Sequence, residues 1–336
     1  MRITAKAPCR VDLAGGTLDI WPLYLFHPGA VTVNFAIDVY AHCTIEERQD
    51  KRILLRSEDL AEEEAFGSLG ELRHRAMHRL PLAAKLVSFL TPRSGIRMIT
   101  KSDAPVGAGL AGSSTLLVAT AGALERLSGV HYGKEQLRET VQNVEAQIIR
   151  VPTGCQDYYP AMYGGVNAVE LRPDGVRRRR LAVDARELGE RVVLAYTGAP
   201  RQSGINNWEV MKAHINGDRR VHRNFDEITS IARGMVDALE KADWGEAGRL
   251  LREEWAHRRR NSPGITTPLI DRLVKTARRN GASGAKVCGA GGGGCVVFLV
   301  EQGSSERVSA AVAQAGGKVI PVRVAGRGLR VRTVPQ

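Results

Sequence analysis

Ala104-Pro105-Val106-Gly107-Ala108-Gly109-Leu110-Ala111-Gly112-Ser113-Ser114-Thr115 constrains this chain more than any other segment. It follows a strand candidate, Gly95–Thr100, and opens into Ser114–Leu127, which has the Ala/Leu content of a buried helix. Glycines let the backbone turn tightly and approach a ligand closely. Successive N–H groups at a helix N-terminus form a positive cradle for phosphate oxygens. The two serine hydroxyls suit either a helix cap or a magnesium ion bridging such phosphates. No Gly-Lys-Ser/Thr closes the segment, so it is not a Walker loop. An acidic ribose partner on a following strand is missing, which argues against a nicotinamide fingerprint. A purely structural glycine turn remains the alternative at this point.

Two further segments share the character. Gly284–Gly294 holds six glycines in eleven residues, with Ala285-Lys286-Val287-Cys288 inside it. Ordering so much glycine is entropically costly, and four in a row suggest a backbone pressed against a ligand. Ala14-Gly15-Gly16-Thr17, with Asp19, follows the strand candidate Val11–Leu13; alone it reads as a plain β-turn.

The rest of the chain reads as α+β. Arg2–Ala7 and Val31–Ile45 have strand character, whereas residues 58–93, with Glu62-Glu63-Glu64, suggest helix and a mobile connection. Lys134–Ile149 carries apolar residues at 137, 141, 144 and 148, a helical spacing. Val166–Leu171 and Arg180–Val183 flank the turn Pro173-Asp174-Gly175 as a hairpin, and Arg191–Tyr196 is a further strand. From Asn207 to about Gly281 the signal is helical. Asp243 with Glu246 resembles a capping box, Thr267-Pro268 an N-cap followed by proline, and Gly281 a stop. Cys295–Val300 and Lys318–Arg323 return to strand. A boundary around residues 170–190 divides the chain into 1–180 and 181–336.

Among 336 residues, 43% are apolar and 25% charged, an ordinary globular balance. The N-terminus lacks an apolar stretch of the secretory kind, and no run approaches a membrane span, so a cytoplasmic protein without membrane contact is expected. Cys9, Cys43, Cys155, Cys288 and Cys295 form no Cys-x-x-Cys pair and read as buried thiols. The net charge of +12 fits either a nucleic-acid binder or an enzyme handling anionic ligands. Aromatic residues are only 5% and are not interleaved with the basic ones, which speaks against nucleic acid; Arg177–Arg180 reads as a solvated strand end.

Pro8–Asp19, Pro105–Thr115 and Gly281–Cys295 resemble, in order and at compatible spacing, the three motifs of the GHMP kinase superfamily. Within it the chain is most similar to the D-glycero-D-manno-heptose 7-phosphate kinase-like sugar kinases. The shared stretches include Ala7-Pro8-Cys9-Arg10, Gly154-Cys155-Gln156-Asp157-Tyr158, Tyr163-Gly164-Gly165-Val166-Asn167, Tyr196-Thr197-Gly198 and Glu254-Trp255. The similarity covers nearly the whole chain apart from residues 58–93. It implies a ribosomal-S5-like N-terminal domain and a ferredoxin-like C-terminal domain, with ATP and Mg2+ between them.

The resemblance also implies roles. Pro105, Gly107, Gly109, Leu110, Ala111, Gly112, Ser113 and Ser114 would hold ATP, with Ser113 and Glu145 as magnesium ligands. Asp157 would be the base that takes or orients the acceptor hydroxyl proton, its alternative being a helix cap. Arg10 would sit beside it, stabilising charge on the transferred phosphoryl or lowering the pKa of the base. Gly15, Gly16, Thr17, Asp19, Gly291 and Gly292, with Arg10 and Asp157, would meet the sugar. Arg201 and Lys212 are candidates for a substrate phosphate or are surface charges, and Trp208 and Trp255 are expected to pack helices.

Two departures from the pattern stand out. Heptose kinases resemble Ala-Gly-Gly-Gly-Thr-Asp where this chain has Ala14-Gly15-Gly16-Thr17-Leu18-Asp19, and the Glu and His of galactokinases are absent. Ala111-Gly112 stands where Gly-Ser or Ser-Ser is usual. The implied activity is transfer of the ATP γ-phosphate to a hydroxyl, the anomeric one, of a sugar or sugar phosphate. Other acceptors (a uronic acid, a deoxysugar, an isoprenoid precursor) and a catalytically silent sugar sensor are the alternatives; oligomeric state is not readable.

Overall fold

The computed structural model describes residues 1–200 and 205–334. The chain begins with β1 (Arg2–Ala14), β2 (Val31–Arg48), β3 (Ile53–Ser57) and β4 (Glu62–Phe66). Then come α1 (Leu69–His74), α2 (Pro81–Leu90), β5 (Gly95–Ser102), α3 (Gly112–Ser128), α4 (Lys134–Ile149), α5 (Tyr158–Tyr163), β6 (Val166–Arg172) and β7 (Gly175–Arg180). The second half runs α6 (Ala185–Glu190), β8 (Val192–Tyr196), α7 (Ile205–Ile215), α8 (Arg219–Glu240), α9 (Trp244–Arg258) and α10 (Pro268–Arg279). It ends with β9 (Ala282–Val287), β10 (Cys295–Val300), α11 (Ser305–Gln314), β11 (Lys318–Ile320) and β12 (Arg330–Val334).

One sheet runs β12-β1-β2-β5-β3-β4, with the hairpin β6–β7 attached to the first half of β2. Only the β3–β5 pair among these is parallel. The other sheet, β11-β8-β10-β9, is antiparallel. Two apolar layers follow from this arrangement. Ile3, Ile45, Met98, Leu117 and Leu124 pack α3 on the first sheet, and Val11, Phe35, Met235, Leu194 and Val297 join the first sheet to α8 and the second. Strand β1 alternates buried and half-buried up to Lys6 and is buried at every position from Ala7 onward, because layers cover both of its faces there.

The helix signals read from sequence are realised. Asp243 accepts from Glu246 N–H, Thr267 accepts from Ile270 N–H ahead of Pro268, and α10 ends at Arg279, with Asn280 as its C-cap before Gly281. All five cysteines are buried, and no disulfide joins them among the described residues. Among the described residues no helix is long and apolar enough to cross a membrane.

Three expectations need correction. Glu62-Glu63-Glu64 is strand, not helix: β4 pairs with β3, and buried Glu64 accepts the Leu80 N–H at 2.9 Å ahead of α2. The second strand of the hairpin is the arginine run itself, Gly175–Arg180, paired with β6 from Arg172 back to Asn167. Arg177, Arg179 and Arg180 face solvent, and Arg178 turns inward to donate to Asn167 Oδ1 at 2.6 Å. Trp255 is buried as expected, but Trp208 is exposed, with the Lys212 ammonium 5.8 Å from its ring centre.

Candidate active site

Because β1 is buried on both faces past Ala7, its two charged residues there must find partners inside the protein. Arg10 donates from Nε and Nη2 to Asp157 Oδ1 at 2.9 and 2.6 Å, and from Nη1 to the Gly109 carbonyl at 2.5 Å. The guanidinium therefore ties the residue before α5 to the glycine loop between β5 and α3. Asp157 occupies the N-terminal cap position of α5, yet its side chain caps nothing. Asp12 pairs with Lys286 of β9 and accepts the Gly289 N–H at 3.0 Å. Burial alone would raise the Asp12 carboxyl, but Lys286, Arg10 and Arg258 together hold it well below the usual carboxylate range.

Arg10, Asp12, Gly109, Asp157 and Gly289 line one cavity of about 340 Å3. Its walls include every residue from Ala104 to Ser114, and Arg10, Gly16, Thr17, Asp19, Glu145 and Asp157. At its floor α3 begins, with Ala111 as N-cap in the left-handed region (φ +62°). Ser113 and Ser114 donate to the two oxygens of Glu145, at 2.5 and 2.7 Å, and Tyr158 Oη donates to Oε2. Burial raises the Glu145 pKa, and these three hydroxyls partly offset it. The buried carboxylate and its serine hydroxyls form a set of hard oxygen donors, which fits Mg2+.

At the other end, Asp19 is buried and accepts the Gln156 N–H at 2.9 Å. A Cβ on Gly154 would lie 2.0 Å from its carboxylate, so only glycine fits there. Burial, with the Asp157 charge adding to it, pushes Asp19 up to about 6. Thr17, another non-glycine residue at positive φ (+75°), donates to Asn207 Oδ1 at 3.1 Å.

Not every expected residue meets the cavity. Gly15 has φ +80°, and a Cβ there would lie 2.0 Å from the Val31 carbonyl; the passing strand β2 requires this glycine. Gly291 and Gly292 pack on Ile265, whose carbonyl accepts the Gly292 N–H at 2.9 Å, while Gly289 and Ala290 line the cavity. Lys212 is exposed and pairs with Glu209 at 2.7 Å. Arg201 lies outside the described residues.

Sequence reading assigned no role to Asp12, Lys286, Glu254 or Arg258. Arg258 donates to Glu254 (2.8 and 2.5 Å), to the Gly16 carbonyl (2.7 Å) and to Thr17 Oγ1 (3.2 Å), and so holds the Asp19 loop against α9. The Glu254-x-x-x-Arg258 spacing on a helix was the available signal.

This arrangement brings a glycine loop at a helix N-terminus, a buried carboxylate with hydroxyl neighbours and a second carboxylate fixed by arginine into one cavity, the kinds of group that phosphoryl transfer uses. Two family models match the chain, "GHMP kinases N terminal domain" over residues 76–165 and "GHMP kinases C terminal" over residues 235–318, together about half of it. The chain belongs to the GHMP kinases. It is a phosphotransferase with an alcohol group as acceptor, and kinases of this family use ATP as phosphoryl donor.

Among curated relatives, a D-glycero-alpha-D-manno-heptose 7-phosphate kinase of Campylobacter jejuni is 29% identical over 310 residues, 89% of each chain. A mevalonate kinase of Thermococcus sibiricus is 25% identical over the full length of both. The crystal structure of a D-glycero-D-manno-heptose 1-phosphate kinase from Bacteroides thetaiotaomicron superposes with a TM-score of 0.80 at 26% identity, covering 99% of this chain and 100% of that one.

Proposed function

We propose that this enzyme transfers the γ-phosphate of ATP to a hydroxyl, the anomeric one, of a sugar or sugar phosphate such as D-glycero-D-manno-heptose 7-phosphate. The observation that carries the reading is the placement of Asp19 and Asp157 in one cavity facing the glycine loop. Pro105, Gly107, Gly109, Leu110, Ala111, Gly112 and Ser114 hold the nucleotide phosphates in this reading, and α3 adds its N-terminal dipole. Ser113 and Glu145 hold Mg2+, which when bound neutralises phosphate charge.

Asp157 takes the proton of the acceptor hydroxyl as its oxygen bonds to the γ-phosphorus and the bond to the departing ADP oxygen breaks. Arg10 fixes the orientation of that carboxylate and the distance between base and loop. Asp19 accepts hydrogen bonds from sugar hydroxyls, beside Gly16 and Thr17. The relatives that act on heptose phosphates favour a sugar phosphate over the mevalonate-type acceptor.

The test is ADP release by the purified protein with heptose 7-phosphate, free heptose, galactose, a uronic acid and mevalonate, with the product located by phosphorus NMR. A sugar phosphate is expected to give the highest kcat/KM and an anomeric phosphate. ATP binding without turnover of any sugar would make the protein a silent sensor, and preferential turnover of mevalonate would replace the acceptor.

A further inference from the structure

Away from the cavity, three histidines meet where the segment before β2 packs on the α7–α8 hairpin. His27 follows a short 3-10 turn (Leu23–Phe26), His214 closes α7 and His222 lies in the first turn of α8. One ring nitrogen from each lies within 4.8 Å of the others. His27 and His214 are buried at 2% exposure, and His222 is half-buried.

The neighbours of these rings decide which nitrogens carry lone pairs. His27 Nδ1 lies 2.7 Å from Asp226 Oδ1, and only an N–H serves that carboxylate, so the His27 Nε2 lone pair is left over. His222 Nε2 lies 2.9 Å from the His214 carbonyl and donates to it, which leaves its Nδ1 lone pair. His27 Nε2 and His214 Nε2 face each other at 2.9 Å. His214 Nδ1 has no hydrogen-bond partner among the described residues, although it is buried. Metal-ligating histidines characteristically donate their other N–H to a carboxylate or a backbone carbonyl, as His27 and His222 do here. Phe26 and Phe225, with ring centres 5.4 and 5.8 Å from that of His214, give the cluster an apolar wall.

We infer that His27, His214 and His222 form a binding site for a divalent transition metal ion of the zinc type, oriented by Asp226 and separate from the nucleotide cavity. Neutral imidazole is a preferred ligand of such ions. The ion would clamp the segment between Asp19 and β2 to α7, the helix whose Asn207 bonds Thr17.

The test is zinc content and affinity of chelator-stripped protein after one equivalent of Zn2+, read by elemental analysis and titration calorimetry. One zinc per chain is expected in the wild type and in Glu145→Gln, which disables the magnesium set. Affinity is expected to fall at least tenfold in His214→Gln and His222→Gln, and about 10- to 100-fold in Asp226→Asn. His222 is half-buried, so His222→Gln should fold. The Co2+-loaded wild type should also show the strong visible bands of a nitrogen-ligated, low-coordinate ion. Absence of stoichiometric zinc in the wild type, its loss in Glu145→Gln, or unchanged affinity in His222→Gln would each overturn the site.

Discussion

Arg10 directs two N–H donors at one oxygen of Asp157, Oδ1, and the other oxygen makes no hydrogen bond among the described residues. The carboxylate is thereby split into a tethered oxygen and one left for the acceptor hydroxyl of the proposed reaction. Asp157→Asn is expected to lower kcat by about 10²–10⁴-fold, the usual contribution of a general base, with ATP affinity retained. Arg10→Lys cannot reproduce the two-point tether, and misplacement of the base should cost on the order of 10²-fold in kcat. Steady-state kinetics with nucleotide titration checks both; equal kcat for wild type and Asp157→Asn would remove the base.

Glu145 accepts from three hydroxyls inside the protein, which fixes in place the carboxylate that would hold Mg2+ in the proposed function. Glu145→Gln is expected to raise the Mg2+ concentration for half-maximal activity more than tenfold, within the range seen for weakened metal sites. Ser113→Ala should shift it less. Activity against free Mg2+ distinguishes the two.

Asp19 has a folded pKa of about 6, above the ordinary 3.8. Its contribution to stability is therefore fully present below the unfolded value and is lost as pH rises through 6. That difference corresponds to about 3 kcal/mol. Asp19→Asn keeps an acceptor for the Gln156 N–H without the charge. It should gain stability relative to wild type at pH 7.5 and show little gain at pH 4, as thermal melts at the two pH values would reveal.

Lys286 and Asp12 join β9 of one sheet to β1 of the other. Removing one partner strands a buried charge, so Lys286→Met should cost about 3–5 kcal/mol. The Asp12 carboxyl is depressed, so the pair stabilises above the ordinary carboxylate pKa and this stability is lost as pH falls below it. Denaturant melts of both proteins at pH 7 and pH 3 should show the gap narrowing in acid.

Much of this was legible in the sequence where the signal is local. Gly107, Gly109, Asp243 and Thr267 announce turns and caps through their own backbone needs, and the strand–loop–helix at 95–128 followed from them. What was not legible depends on distant partners. The Glu62–Glu64 run looks helical until Glu64 is seen bonding Leu80, and nothing near Lys286 announces Asp12, 274 positions away. Lys286 was visible only as a charge among glycines. The two departures from the family pattern, at Thr17 and Ala111, turn out to be non-glycine residues at positive φ, where a side chain costs about 1–2 kcal/mol. Both line the cavity, a coincidence that spacing alone does not show.

Strand β12 pairs with β1 through Arg2↔Val334 to Lys6↔Arg330, so one edge of β1 is covered by a segment far downstream in the chain. On the ribosome, β1 can take β2 as a neighbour early, but its other edge stays open until residues 330–334 emerge. An unpaired edge is a template for wrong partners. Strand β12, with two arginines among its five residues and its last three exposed, thus acts as a late latch, and the nascent chain must keep that edge covered or unformed until it arrives.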